Sequence, residues 1–98
     1  MGAIAQQLAD LADEELGLVA AERYDELPDL HRRRDAALAA LPSGPPSPED
    51  RPLLEHALAV QMQITAQIER ARDQVHGELQ RLSHRREAAR GYAAVASA

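Results

Sequence analysis

The sequence predicts an all-α fold: an antiparallel hairpin or bundle of two long helical arms. Apolar residues recur at helical spacing along most of the chain, and no stretch alternates as a strand would. The one strong break is a proline-rich loop at residues 42–48. The 98 residues include 20 alanines and 13 leucines but no Phe or Trp, which suits a thin core along a seam between closely packed helices.

The first arm covers residues 3–41 and has two apolar faces. The face of residues 3–22 is formed by Ile4, Leu8, Leu11, Leu16, Leu18 and Val19, and the second by Leu27, Leu30, Leu38 and Leu41, with Arg34 in the same row. Pro28 would bend a continuous helix, but it is tolerated in the first turn of a new helix capped by Asp25. We therefore expect a kink or a break near residues 22–28, and one kinked helix and two helices both remain open.

The loop at residues 42–48 has the sequence PSGPPSP, which cannot lie inside a helix. Pro42 ends the first arm, because the residue before a proline disfavours helical geometry. The next helix begins in one of two ways. Either Ser47 is the N-cap and Pro48 takes the first helical position, or Asp50 is the cap and Pro52 lies in the first turn.

The second arm is a predicted long helix at residues 49–95. Its seam is heptad-like, with one irregularity between Val75 and Leu79, and it runs through Ala57, Gln61, Ile64, Ile68, Ala71, Val75, Leu79, Leu82, Arg86, Ala89, Ala93 and Ala96. So long a coiled-coil-like helix must pack against another helix. We expect a single domain, 1–98, in which the acids of residues 1–30 face the arginines of residues 67–98.

Several classes of function are not expected. The chain has no cysteine, and His31, His56, His76 and His84 form no metal-binding motif, so neither a metal nor a cofactor is predicted. No stretch is long and apolar enough to insert into a membrane, and the N-terminus lacks the pattern of a signal peptide. A cytoplasmic protein is the expectation.

The arginine clusters indicate neither an enzyme nor a nucleic-acid binder. Helical chorismate mutases have a similar length and bind a dicarboxylate through several basic residues. However, consecutive arginines such as Arg32, Arg33 and Arg34 point in different directions on a helix and cannot share one pocket. The chain carries a formal net charge of -5 and only two Tyr as aromatic residues, which does not favour nucleic-acid binding. No catalytic residue is predicted.

Two segments resemble the flagellar chaperone family FliT. Residues 22–38, ERYDELPDLHRRRDAAL, place an aromatic and an acid before a Leu, followed by an Arg-Asp pair and an aliphatic run. Residues 79–92, LQRLSHRREAARGY, resemble the family's ending of a Leu, a basic cluster, small residues and a Tyr. The aromatic at position 24 is Tyr, where the family often has Trp. The related chaperone FlgN is the second choice.

This resemblance implies an export chaperone of the flagellar type III secretion system. Such a chaperone binds the filament-cap protein in the cytoplasm and delivers it to the export gate, where the family's C-terminal Tyr, here Tyr92, takes part in docking. In the family the C-terminal helix can also cover the partner-binding surface. The alternative is a structural helical-hairpin module that forms a homodimer and has no flagellar role.

A protein-binding surface is therefore expected along the second arm. Its apolar seam suits an amphipathic client helix, Met62 offers adaptable contact, and the thin core predicts a homodimer in concentrated solution. The predicted partner-binding residues are Gln61, Met62, Ile64, Ile68, Val75, Leu79, Leu82 and Tyr92.

Overall fold

The computed structural model of the protein describes residues 2–96, and all regular secondary structure within that range is helical. Helix α1 spans Ala3–Ala20, α2 spans Leu27–Ala39 and α3 spans Arg51–Ala96, with a short 3-10 turn at Tyr24–Glu26 before α2. The predicted all-α class is confirmed. Of the two possibilities left open for the first arm, the structure has two helices, α1 and α2, and α3 corresponds to the second arm.

The end of α1 explains why the first arm does not continue as one helix. The amide of Glu22 donates to the carbonyl of Val19, and the amide of Arg23 donates to the carbonyl of Leu18 at 2.9 Å. These two bonds form a Schellman motif, which requires a left-handed residue just past the helix end. Glu22 takes that conformation, with φ of 58°, where glycine is usual.

Helix α2 begins with Pro28 in its first turn, where the missing amide costs no hydrogen bond. Asp25 does not cap it. Glu26 holds the cap position without a side-chain hydrogen bond, and its carboxylate pairs instead with Arg23.

Helix α2 runs antiparallel to α1. Residues 3–5, at the start of α1, share a groove with Leu41 and Pro42, which follow α2, whereas Glu15 contacts His31 near the start of α2. Helix α3 starts beside the same end of α1, since a Cβ added at Gly2 would lie 3.5 Å from the Asp50 carboxylate. The first part of α3 therefore runs parallel to α1.

The connection between α2 and α3 ends in a serine-capped turn. The amide of Asp50 donates to Ser47 Oγ at 3.2 Å, and the amide of Arg51 donates to the Ser47 carbonyl at 3.0 Å. The α-helix itself begins only at Arg51, so Pro52 lies in its first turn and Asp50 immediately precedes it. Ser47 thus caps the turn, and Asp50 occupies the position of the helix cap.

The contacts divide the chain into two compact units, the first ending at Gln67 and the second beginning at Ile68. All buried residues of the described chain belong to the first unit. The core consists of Ala5, Leu8, Ala9, Leu11, Ala12, Val19, Leu30, Ala37, Val60 and Ile64. That the two units form one domain, as expected from the sequence, stays a prediction.

Three acids of α1 pair with bases of the first unit. Glu14 accepts from Arg33, Glu15 from Arg34, and Asp13 lies 2.8 Å from His56. From the sequence we expected these acids to face the arginines of residues 67–98. Because the first arm folds back on itself, it brings its own arginines alongside α1 instead.

Candidate partner-binding surface

The second unit is a stretch of helix without a core. Among its described residues, 68–96, none is buried. Apolar side chains nevertheless recur on one side of it at spacings of three and four, and we call this row the α3 stripe. It consists of Ile68, Ala71, Val75, Leu79 and Leu82. The four large members are 39–59% exposed, which is unusual for a contiguous apolar row and typical of a surface that another chain covers.

Two shallow grooves lie along the α3 stripe and share Leu79. One is lined by Ile68, Ala71, Arg72, Val75, His76 and Leu79, and the other by Leu79, Leu82, Ser83, Arg86, Glu87 and Arg90. Both combine apolar and cationic side chains. Such a surface suits a partner that is itself amphipathic.

Five of the eight predicted partner-binding residues belong to the second unit and are exposed. Ile68, Val75, Leu79 and Leu82 lie on the α3 stripe, and Tyr92 further along α3 is 81% exposed. A large aromatic side chain with so little packing of its own is available for contact with another protein.

The other three predicted residues lie in the first unit, where their environments differ. Met62 is exposed, but Ile64 is only 1% exposed and packs in a cluster with Ala12, Val19 and Val60. Gln61 accepts a hydrogen bond from Arg34. Ile64 and Gln61 are therefore engaged inside the first unit, while the partner-binding role of all eight residues stays a prediction.

A buried polar cluster joins the three helices of the first unit. Glu15 of α1 is 2% exposed, and its Oε2 lies 3.1 Å from Arg34 Nη1 and 2.9 Å from His31 Nε2, both on α2. Arg34 Nη1 also donates to Oε1 of Gln61 on α3 at 3.1 Å. The cluster thus fixes the positions of the helices around one carboxylate.

Sequence reasoning did not find this cluster. The sequence has Arg34 in a row of leucines and Gln61 on the apolar seam. A polar residue on each of two apolar faces was the one sign of a buried polar contact between them. The neighbouring Arg33 is more exposed, and its hydrogen bond to Glu14 raises the pKa of its guanidinium above the ordinary value.

A groove of about 500 Å³ lies at the end of the first unit where α1 and α3 begin. Apolar residues, including Ile4, Leu41 and Leu54, line it together with prolines of the loop. The Oδ1 atom of Asp50 is buried there without a hydrogen-bond partner. Among residues 2–96, no three His, Asp or Glu side chains come together in a way that could hold a metal ion.

Comparison with models of known protein families identifies the family of this chain. The model described as "Flagellar protein FliT" matches residues 3–94, nearly the whole chain. The chain belongs to the FliT family. No curated protein and no solved structure matches the chain significantly. The resemblance drawn from residues 22–38 and 79–92 is thus confirmed at the level of the family.

Membership in FliT makes the chain a member of a family of flagellar export chaperones, which are not enzymes. A chaperone binds a protein client, so the family also implies a protein-binding surface. No helix within residues 2–96 has the length and hydropathy needed to cross a bilayer.

Proposed function

We propose that this FliT protein acts in the cytoplasm, binds the filament-cap protein and delivers it to the flagellar type III export gate. The observation that carries the proposal is the α3 stripe, an exposed apolar row on a unit in which none of residues 68–96 is buried. Helices in proteins gain most of their stability from packing an amphipathic face against a neighbour. A client helix on the α3 stripe would supply that packing.

Binding of the cap protein by the α3 stripe is tested with a double variant, Leu79→Ser/Leu82→Ser. Both side chains are more than half exposed, so the substitutions leave the core intact. We expect the dissociation constant for the cap protein, measured by isothermal titration calorimetry, to rise by about 10-fold or more. Leu38→Ser on α2, at a similarly exposed leucine, is the control and should leave binding unchanged.

Two results would contradict this assignment. One is the absence of binding at micromolar concentrations by a protein whose helical content is confirmed by circular dichroism. The other is an equal loss of affinity in the Leu38→Ser control, because that would place the client on the first unit.

Docking at the export gate is proposed for Tyr92. Its side chain is 81% exposed and is not a member of the α3 stripe. Tyr92→Ala should weaken binding to the gate component and leave binding of the cap protein unchanged. Tyr24→Ala is the matched control, since Tyr24 is the only other aromatic residue and belongs to the first unit.

A homodimer in concentrated solution is a second proposal, and it rests on the same exposed row. A second copy that covered the α3 stripe would remove its apolar side chains from water. Multi-angle light scattering over rising protein concentration tests this. Growth of a dimer is the expected result, and a monomer at every concentration would overturn the proposal.

A further inference from the structure

The two grooves of the α3 stripe are lined by three arginines and one acid, Glu87. Arg86 follows Ile68 by eighteen residues, which is five full helical turns, so it points the same way as Ile68. Arg90 follows Arg72 by the same eighteen residues, so these two arginines also point the same way, directly beside the row of leucines. Arg72, Arg86 and Arg90 all line the two grooves of the α3 stripe.

The acids of the same helix lie mostly elsewhere. Glu69 and Asp73 point about 100° and 140° away from Ile68, at 100° per residue. Glu87 borders the second groove and Glu78 the other edge of the stripe. None of Arg72, Arg86 and Arg90 takes part in an ion pair within residues 2–96, and all three residues are exposed, so their positive charge is accessible to a partner.

From this charge pattern we infer that the partner of the α3 stripe is an amphipathic helix whose apolar face is flanked by Asp and Glu. The inference rests on the proposed function and specifies the chemistry of the client segment. Acidic flanks would meet the arginines while leucine-like side chains fill the two grooves. Charge complementarity of this kind selects among apolar helices that would otherwise fit the same row.

A second copy of this chain fits the α3 stripe less well. If two α3 helices paired antiparallel about Leu79, Arg72 of each copy would face Arg86 of the other. If they paired parallel in register, Arg86 would face Arg86. Like charges across a helix seam oppose pairing. An acidic client helix therefore competes well against any dimer formed through this row.

Two labelled synthetic helices test the inference. Both have about 20 residues and the same Leu and Ala face, and one carries Glu flanks where the other carries Lys flanks. Fluorescence anisotropy with the full chain should show the acidic peptide binding about 10-fold more tightly at about 0.05 M salt. The difference should shrink at about 0.5 M salt, because screening weakens exposed charge pairs.

The triple variant Arg72→Glu/Arg86→Glu/Arg90→Glu should reverse the order of the two peptides. Its side chains are exposed, so circular dichroism should show an unchanged helix content. Arg51→Glu, at the first turn of α3 in the first unit, is the control and should keep the acidic preference. Equal affinities for the two peptides, or tighter binding of the basic one, would overturn the inference.

The cap protein separates this inference from the proposed function. If the cap protein binds equally well to the wild type and the triple variant, the acidic-client inference fails and the chaperone proposal stands. If the wild type prefers the acidic peptide and does not bind the cap protein, the client chemistry is supported and the proposed client is wrong.

Discussion

The carboxylate of Glu15 shows how one residue ties three helices together. It is almost fully buried between α1 and α2. Arg34 donates a hydrogen bond to this carboxylate and another to Gln61 of α3. A buried charge is tolerated only when it is paired and hydrogen-bonded. Arg34 and His31 supply those bonds, so the stability of the first unit depends on a polar pairing as well as on its small apolar core.

Replacing Arg34 tests the importance of this pairing. Arg34→Met keeps much of the side chain's volume but leaves the Glu15 carboxylate with His31 alone. We expect the free energy of unfolding to fall by about 2–3 kcal/mol, measured by urea denaturation. Arg32→Met, which disturbs only an exposed pair with Asp29, should change it by less than about 0.5 kcal/mol. Equal effects of the two substitutions would contradict the account.

Glu22 is the second residue with an unusual role, because it holds a left-handed conformation at the end of α1. Glycine adopts this conformation without the steric cost that a Cβ imposes. Glu22→Gly should therefore raise the free energy of unfolding by roughly 0.5–1 kcal/mol, visible as a higher thermal midpoint. Glu55→Gly is the matched control within helix α3 and should lower it by about 1 kcal/mol. A destabilised Glu22→Gly variant would show that the Schellman geometry is not strained.

At the scale of the elements, α3 is one helix with two different environments. Ile64 lies in the core cluster of the first unit, whereas Ile68, one turn later, is 39% exposed on the second unit. The sequence pattern treats the two isoleucines alike, since both occupy the same heptad-like seam. Periodicity reveals which side of a helix is apolar, but it does not reveal how far along the helix a neighbour extends.

Alanine substitutions distinguish the two environments. Ile64→Ala should lower the free energy of unfolding by about 2–4 kcal/mol, because it leaves a cavity in a packed core. Ile68→Ala removes the same atoms from a partly exposed site and should cost less than about 1 kcal/mol in urea denaturation. Similar losses for both would mean that the core continues past Gln67.

Other elements were predictable to different degrees. The all-α class follows from apolar spacing, and the position of the loop follows from four prolines between residues 42 and 48. The folding back of α2 was not evident, because it depends on Glu22 adopting a conformation that sequence patterns assign to glycine. The ion pairs of α1 were assigned to the wrong partners for the same reason, since Arg33 and Arg34 reach α1 only when α2 reverses direction.

At the scale of the whole molecule, the first unit has the core and the second has the exposed stripe. The resemblance to FliT rested on residues 22–38 and 79–92, one segment from each unit, and the family model matches residues 3–94. The seam placed Leu79 and Leu82 on the apolar face of the helix, but it did not indicate that they are exposed. The burial of Ile64 and the engagement of Gln61 depend on packing that one sequence does not reveal.

The central claim is that a client protein covers the α3 stripe, and hydrogen–deuterium exchange tests it most directly. In the protein alone, backbone amides of residues 70–92 should exchange faster than those of residues 54–66, because that part of α3 has no buried side chains. Addition of the filament-cap protein should slow exchange at residues 70–92 by at least about 10-fold. Binding that leaves these amides unchanged and protects only residues 3–66 would contradict the claim.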